Sequence, residues 1–189
     1  MITFIAVRHG ESEANRHYET EHSQPDALKA DFKAAVYPHT DPDLTVKGKL
    51  QAVQSGAAFK KWMEETETRP TQVIISPMLR TIHTASLFLE AAGYKGKVIL
   101  EPLYHEHMDG CNGNVGTPTR KLLEQIQNSE HLLKKWDIDT SLMIKEIWYN
   151  IKCQNPDDYQ QRLCEDITHY KERLDEITKR YIDNENEVT

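Results

Sequence analysis

An apolar run at the start of the chain, Ile2 to Val7, ends abruptly at Arg8-His9-Gly10-Glu11-Ser12-Glu13-Ala14-Asn15. Ile, Phe and Val suit a pleated surface, so the run reads as a short buried strand. Open α/β sheets place ligands where a buried parallel strand gives way to a polar loop. That puts His9 at a strand's carboxyl end with a fixed cation, Arg8, beside it. Gly10 lets the backbone approach a neighbour closely or take a positive φ. Glu11 or Ser12 then opens a helix, whose unpaired N–H groups favour an anion.

Two readings of His9 follow. The chain has nine histidines, and most histidines in proteins are only satisfied polar groups. The neighbours support a chemical reading as well. An arginine can hold phosphate oxygens bidentately while an imidazole attacks phosphorus.

Two later stretches bear on the choice. Leu44-Thr45-x-x-Gly48-x-x-Gln51-Ala52 precedes an amphipathic segment. Ser76-Pro77-Met78-Leu79-Arg80-Thr81-x-x-Thr84-Ala85 follows a second apolar run. With Arg8-His9-Gly10-x-Ser12-x-x-Asn15, these motifs resemble, in order, the signatures of the histidine phosphatase superfamily, the phosphoglycerate-mutase-like fold. One arginine-histidine-glycine triplet is a weak signal, whereas three ordered motifs are a specific one. The resemblance covers about the first 110 residues.

It implies an α/β fold, a three-layer sandwich with a mostly parallel central sheet flanked by helices. It also implies a cofactor-independent reaction in which His9 becomes phosphohistidine. Arg8 and Arg80 would hold the phosphate, with Ser12 and Asn15 as further contacts. On residues alone Arg80 could be an ordinary surface arginine; the resemblance makes it the second guanidinium, brought beside His9 from a neighbouring strand end. The family's proton-donating acid follows the third strand, where Glu106 fits best and Glu101 is the reserve.

Composition bounds the rest. A chain of 189 residues suits one domain, 1–189, with a variable cap at about 113–156. Net charge is −7 with His neutral, which argues against a general nucleic-acid or anionic-membrane binder. A phosphorylated small molecule or phosphoprotein remains compatible, because local arginines can reverse the sign inside a pocket. The first apolar run is too short, and lacks the basic flank, for a signal peptide. Nothing approaches the ~18 apolar residues of a membrane span. Cys111, Cys153 and Cys164 are an odd set without metal spacing, which suits reduced thiols and a cytoplasmic location. The histidines are scattered rather than paired at i, i+4, so no metal is expected.

Periodicity predicts strands at Ile2–Val7, Val73–Ser76 and Lys97–Leu100. It predicts helices at Ala27–Val36, Thr45 to about Glu65, Leu79–Ala92 closed by Gly93, Pro118–Trp136, Ser141–Trp148, and from Asp157 or Asp158 to about Ile182. In the second of these, Leu50, Val53, Ala57, Phe59 or Ala58, and Trp62 recur at helical spacing and read as the apolar stripe. The Gly-Trp stretch of sugar-phosphate mutases is absent, which favours hydrolysis over transfer. His105 and His107 flank the proposed acid and, if protonated, would lower its pKa.

The resembled family carries a second catalytic histidine on a strand after its last helix. Here the residues at that place read Glu185-Asn186-Glu187-Val188-Thr189, and His169 lies inside a helical pattern. The family's C-terminal strand is therefore expected to be missing; a fragment is the favoured explanation, and the alternative is a natural variant whose sheet closes differently or borrows a strand from a partner. The expected function is phosphomonoester hydrolysis through phosphohistidine. The alternatives are a catalytically impaired phospho-ligand-binding or interaction domain and a phosphoglycerate-mutase-type phosphotransferase.

Overall fold

The computed structural model describes residues 3–22, 39–106, 112–129, 131–133, 135–149 and 167–183. Strands β1 (Val73–Ile75), β2 (Val98–Leu100) and β3 (Ile138–Asp139) form a parallel sheet in that order. Val73 faces Val98, and Val98 faces Ile138. The Glu101 N–H donates to the Ile75 carbonyl at 2.9 Å and carries the β1–β2 ladder one residue further. Both strands end at the same level, so the loops after them open on one side.

Among the described residues five α-helices flank this sheet: α1 (Glu13–His22), α2 (Val46–Thr66), α3 (Leu79–Ala92), α4 (Thr119–Asn128) and α5 (Ile167–Thr178), the last running into a π-helical turn, Lys179–Asp183. This is the α/β arrangement the sequence motifs imply. Parallel strands need long crossovers, and α3 supplies the one from β1 to β2. Gly93 ends α3 at φ 70°, with its N–H on the Glu90 carbonyl, as the sequence predicts. The core gathers Ile82, Val98, Leu100, Leu122, Leu133 and Tyr149. Residues from the expected cap region therefore take part in the main core.

Several expectations are corrected. Residues 3–11 form no strand; Phe4 is 56% exposed, Ile5 46% and Val7 50%. The composition suits a strand, but a strand also needs a neighbour to bond its backbone, and none of the described segments pairs with this one. In α2 only part of the expected stripe turns inward, where Phe59 packs against the core. Gly48, Ala52, Gly56 and Met63 are buried, while Leu50, Val53 and Trp62 are exposed. The small residues face α3 because the two backbones nearly touch: a Cβ on Gly56 would lie 2.3 Å from the Phe88 carbonyl oxygen.

The helix predicted over Pro118–Trp136 ends at Asn128, and the chain then enters β3, a strand the periodicity does not signal. Ser141–Trp148 is not helical. Its backbone instead serves the start of α4, where the Thr119 N–H donates to the Glu146 carbonyl at 2.9 Å. The last helix is described from Ile167, and His169 lies within it. The predicted helix over 27–36, His107 and all three cysteines fall outside the described residues.

Gly56→Ala tests the close approach of α2 and α3. The added methyl meets backbone rather than a flexible side chain, so the helices must part. The expected loss is about 1–3 kcal/mol, read as a lower denaturation midpoint with an unchanged denaturant slope.

Candidate active site

The three motifs converge on one loop, residues 8–12. Gly10 donates its N–H to Thr84 Oγ1 at 3.1 Å, and that hydroxyl donates to the Arg80 carbonyl at 2.7 Å. The second motif grips the other side. Ser12 and Leu44 form an antiparallel bridge, and the Glu11 N–H donates to Gln51 Oε1 at 2.8 Å. Thr45 caps α2 by accepting from the Gly48 N–H at 3.0 Å and donates to Glu11 Oε1 at 2.7 Å.

His9 is half-buried, with its Nδ1 2.7 Å from the Gly10 carbonyl oxygen. A carbonyl can only accept, so this contact assigns the proton to Nδ1 and leaves the lone pair of the neutral ring on Nε2. Burial is the main influence pulling the His9 pKa below its ordinary value. The Gly10 contact and Glu106 oppose it, while Arg80 and Arg8 add to it. Both guanidinium groups and the Glu106 carboxylate thus lie within electrostatic reach of the ring.

Arg8 is exposed and has no ion-pair partner among the described residues. With His9, Glu11, Asn15, Lys47 and Gln51 it lines a cleft of about 340 Å³. Arg80 is only 4% exposed. Its Nη1 donates to the Gly113 carbonyl at 2.7 Å, and its Nη2 to Glu106 Oε2 at 3.0 Å and Asn114 Oδ1 at 3.1 Å. Burial pushes this guanidinium below its usual pKa, and Glu106 and Asp41 push back.

Ser12 and Asn15 are placed differently from simple phosphate contacts. The Ser12 N–H and Oγ both approach Asn15 Oδ1, at 3.1 and 3.0 Å, and the Asn15 N–H donates to Ser12 Oγ at 3.2 Å. The pair caps the start of α1 reciprocally. Asn15 still reaches the cleft wall, whereas Ser12 is buried. Glu101, the reserve acid, is fully buried and bonded to Arg180 and Tyr181, so of the two carboxylates it is Glu106 that meets Arg80.

Some residues escaped the sequence reading. Asp41 is buried, and its Oδ1 accepts from the Leu79 N–H at 2.8 Å. Its Oδ2 accepts from the Thr117 N–H at 2.8 Å and Thr117 Oγ1 at 2.6 Å. It therefore locks the start of α3, which carries Arg80, to the segment just beyond Gly113 and Asn114. Burial raises its pKa against the pull of these bonds. The glycine-containing loop around Gly113 is what holds Arg80. Asp41 had a signal in the Asp-Pro-Asp run before the second motif; Asn114 had none. Among the described residues no group of three or more His, Cys, Asp or Glu could hold a metal ion, and no helix is long and apolar enough to cross a membrane.

A family model of the histidine phosphatase superfamily (branch 1) matches residues 4–141. The chain belongs to that superfamily. Its motif residues are the ones that meet around His9. Among solved structures, the superfamily member is similar to the ecdysone phosphate phosphatase from Bombix mori, determined in complex with tungstate. The TM-score is 0.51 at 15% identity, over 94% of this chain and 65% of that chain. The likeness shows the shared fold, and the chain spans just under two thirds of that relative's length. No curated protein sequence matches.

Two predictions follow from this geometry. In an NMR titration His9 stays neutral to a pH below the ordinary histidine value of about 6.5. Arg8→Ala raises its pKa only part of the way, because burial is the larger cause; full recovery would contradict the assignment. Asp41→Asn keeps the shape but sets an amide against Thr117 donors, or loses the Leu79 bond if flipped. The expected cost is about 1–3 kcal/mol in stability, measured by denaturant unfolding.

Proposed function

We propose that the protein is a phosphomonoester hydrolase that works through a phosphohistidine at His9. The observation that carries this reading is the His9 ring, held by the Gly10 carbonyl with Nε2 as its lone-pair nitrogen, within reach of Arg8, Arg80 and Glu106. A neutral imidazole is a nucleophile, and the lowered pKa extends the neutral form of His9 below the ordinary histidine range.

In the first step Nε2 attacks phosphorus as the bond from phosphorus to the leaving oxygen breaks. Arg8 and Arg80 hold the non-bridging oxygens, where charge must be stabilised. Glu106, in its protonated form, gives its proton to the leaving oxygen. In the second step water attacks the phosphohistidine, the N–P bond breaks, and the Glu106 carboxylate accepts the water proton. Imidazole and acid are both restored. Arg80 also pairs with Glu106, so a phosphate reaching Arg80 competes with that contact and frees the acid for the leaving group.

The substrate class is a phosphorylated small molecule or a phosphoprotein. The arginines supply the positive charge, so neither metal nor organic cofactor is required. Water as acceptor makes the reaction hydrolysis; a second bound hydroxyl would make it transfer.

The test is turnover of p-nitrophenyl phosphate at mildly acidic pH, with and without EDTA. EDTA leaves the rate unchanged, His9→Ala removes it, and Arg80→Ala lowers kcat by about 10²–10³-fold. Turnover that survives His9→Ala contradicts the reading. Phosphate binding without turnover in the unsubstituted protein supports a binding domain instead.

A further inference from the structure

The proposed acid stands at the end of a short loop after β2, and this loop leans on the C-terminal helix at both ends. At its start Glu101 is completely buried. Its carboxylate accepts from Arg180 Nη1 at 2.6 Å, the Tyr181 hydroxyl at 2.7 Å and the Leu103 N–H at 3.1 Å. The Tyr104 ring meets Tyr181 edge-on, with centroids 6.1 Å apart. At its far end Arg173 Nη1 donates to the Leu103 carbonyl at 2.6 Å and the His105 carbonyl at 2.7 Å. His105 immediately precedes Glu106.

The two ends differ in what they control. Arg180 and Tyr181 fix the first residue of the loop, five positions before Glu106 in the sequence. Arg173 fixes the carbonyl of the adjacent residue. It is 2% exposed, with its guanidinium carbon 5.2 Å from the Tyr170 ring centre. Hydrogen bonds from a buried charged donor are strong and directional, and losing them removes a charged donor from both carbonyls. The Glu106 side chain is 61% exposed and bonds to Arg80, a partner that substrate phosphate would also claim. When phosphate takes Arg80, the backbone at His105 becomes the main restraint on where the acid stands.

We infer that Arg173 is the positioning residue for Glu106: its bonds to the Leu103 and His105 carbonyls set the place of the acid against the leaving oxygen. Arg173 touches no reacting atom. The inference rests on the reading of Glu106 as the acid. A displaced acid penalises substrates in proportion to how much their leaving group needs a proton. A p-nitrophenolate leaves readily as an anion, whereas an unsubstituted phenolate depends more on protonation.

The experiment compares kcat and KM for a series of aryl phosphates, from p-nitrophenyl to phenyl phosphate, in the full chain. The variants are Glu106→Gln, Arg173→Met, Arg173→Lys and Tyr181→Phe. Arg173→Met is expected to lower kcat for phenyl phosphate by about 10²-fold, the scale of a 1 Å misplacement, and for p-nitrophenyl phosphate far less, with KM little changed. Arg173→Lys keeps a donor and lies between Met and wild type in the steepness of this leaving-group dependence. Tyr181→Phe lowers the melting temperature without steepening it.

If Arg173→Met does not fold, Arg173→Lys carries the comparison, because it retains charge and length. A folded Arg173 variant with the wild-type dependence, alongside a steepened Glu106→Gln, overturns the positioning role and leaves the acid reading intact. Glu106→Gln without any steepening removes the acid reading, and the role of Arg173 with it.

Discussion

Gly10 has no room for a side chain. A Cβ there would lie 2.3 Å from the Gly48 carbonyl oxygen, and one on Gly48 would lie 2.1 Å from the Glu11 carbonyl oxygen. Two backbones are pressed together at the point where the His9 loop crosses the first turn of α2. That contact lets Gln51 bond the Glu11 N–H and Thr45 bond the Glu11 side chain. From the other side Thr84 bonds the Gly10 N–H. The histidine is thereby held between two helices by main-chain contacts, without depending on a strand at residues 3–7.

Arg80 is placed by a second set of polar contacts, most of them buried. Arg80 donates to three acceptors, two of them on the segment around Gly113. Asp41 clamps that segment to the start of α3. A buried carboxylate near a buried guanidinium is costly alone and tolerable when every lone pair is used. The chain is acidic as a whole, yet Arg8 and Arg80 both act on His9.

Legibility divided along physical lines. The three motifs could be read because each packs several constraints into a few residues. Gly48 and Gln51 serve one loop, and Thr84 and Arg80 serve it from one helix. Strand pairing could not be read at Ile2–Val7, because pairing belongs to two segments and composition describes only one. The face of α2 was misread because apolar periodicity points inward only when bulk is wanted inside. Here Gly48, Ala52 and Gly56 are buried for their small size, and Leu50 and Val53 turn outward. Arg173 was invisible for another reason. Its partners are carbonyls about seventy residues away in sequence, and a carbonyl leaves no trace in side-chain identity.

The central claim is that phosphate passes through His9. It is tested most directly by rapid mixing with substrate, alkaline quenching and mass spectrometry of the digested protein. The account predicts a phosphoryl group on the peptide containing His9, stable to base, lost in acid, and formed at least as fast as product is released. A steady turnover with no such adduct, or an adduct on a different residue, would contradict it.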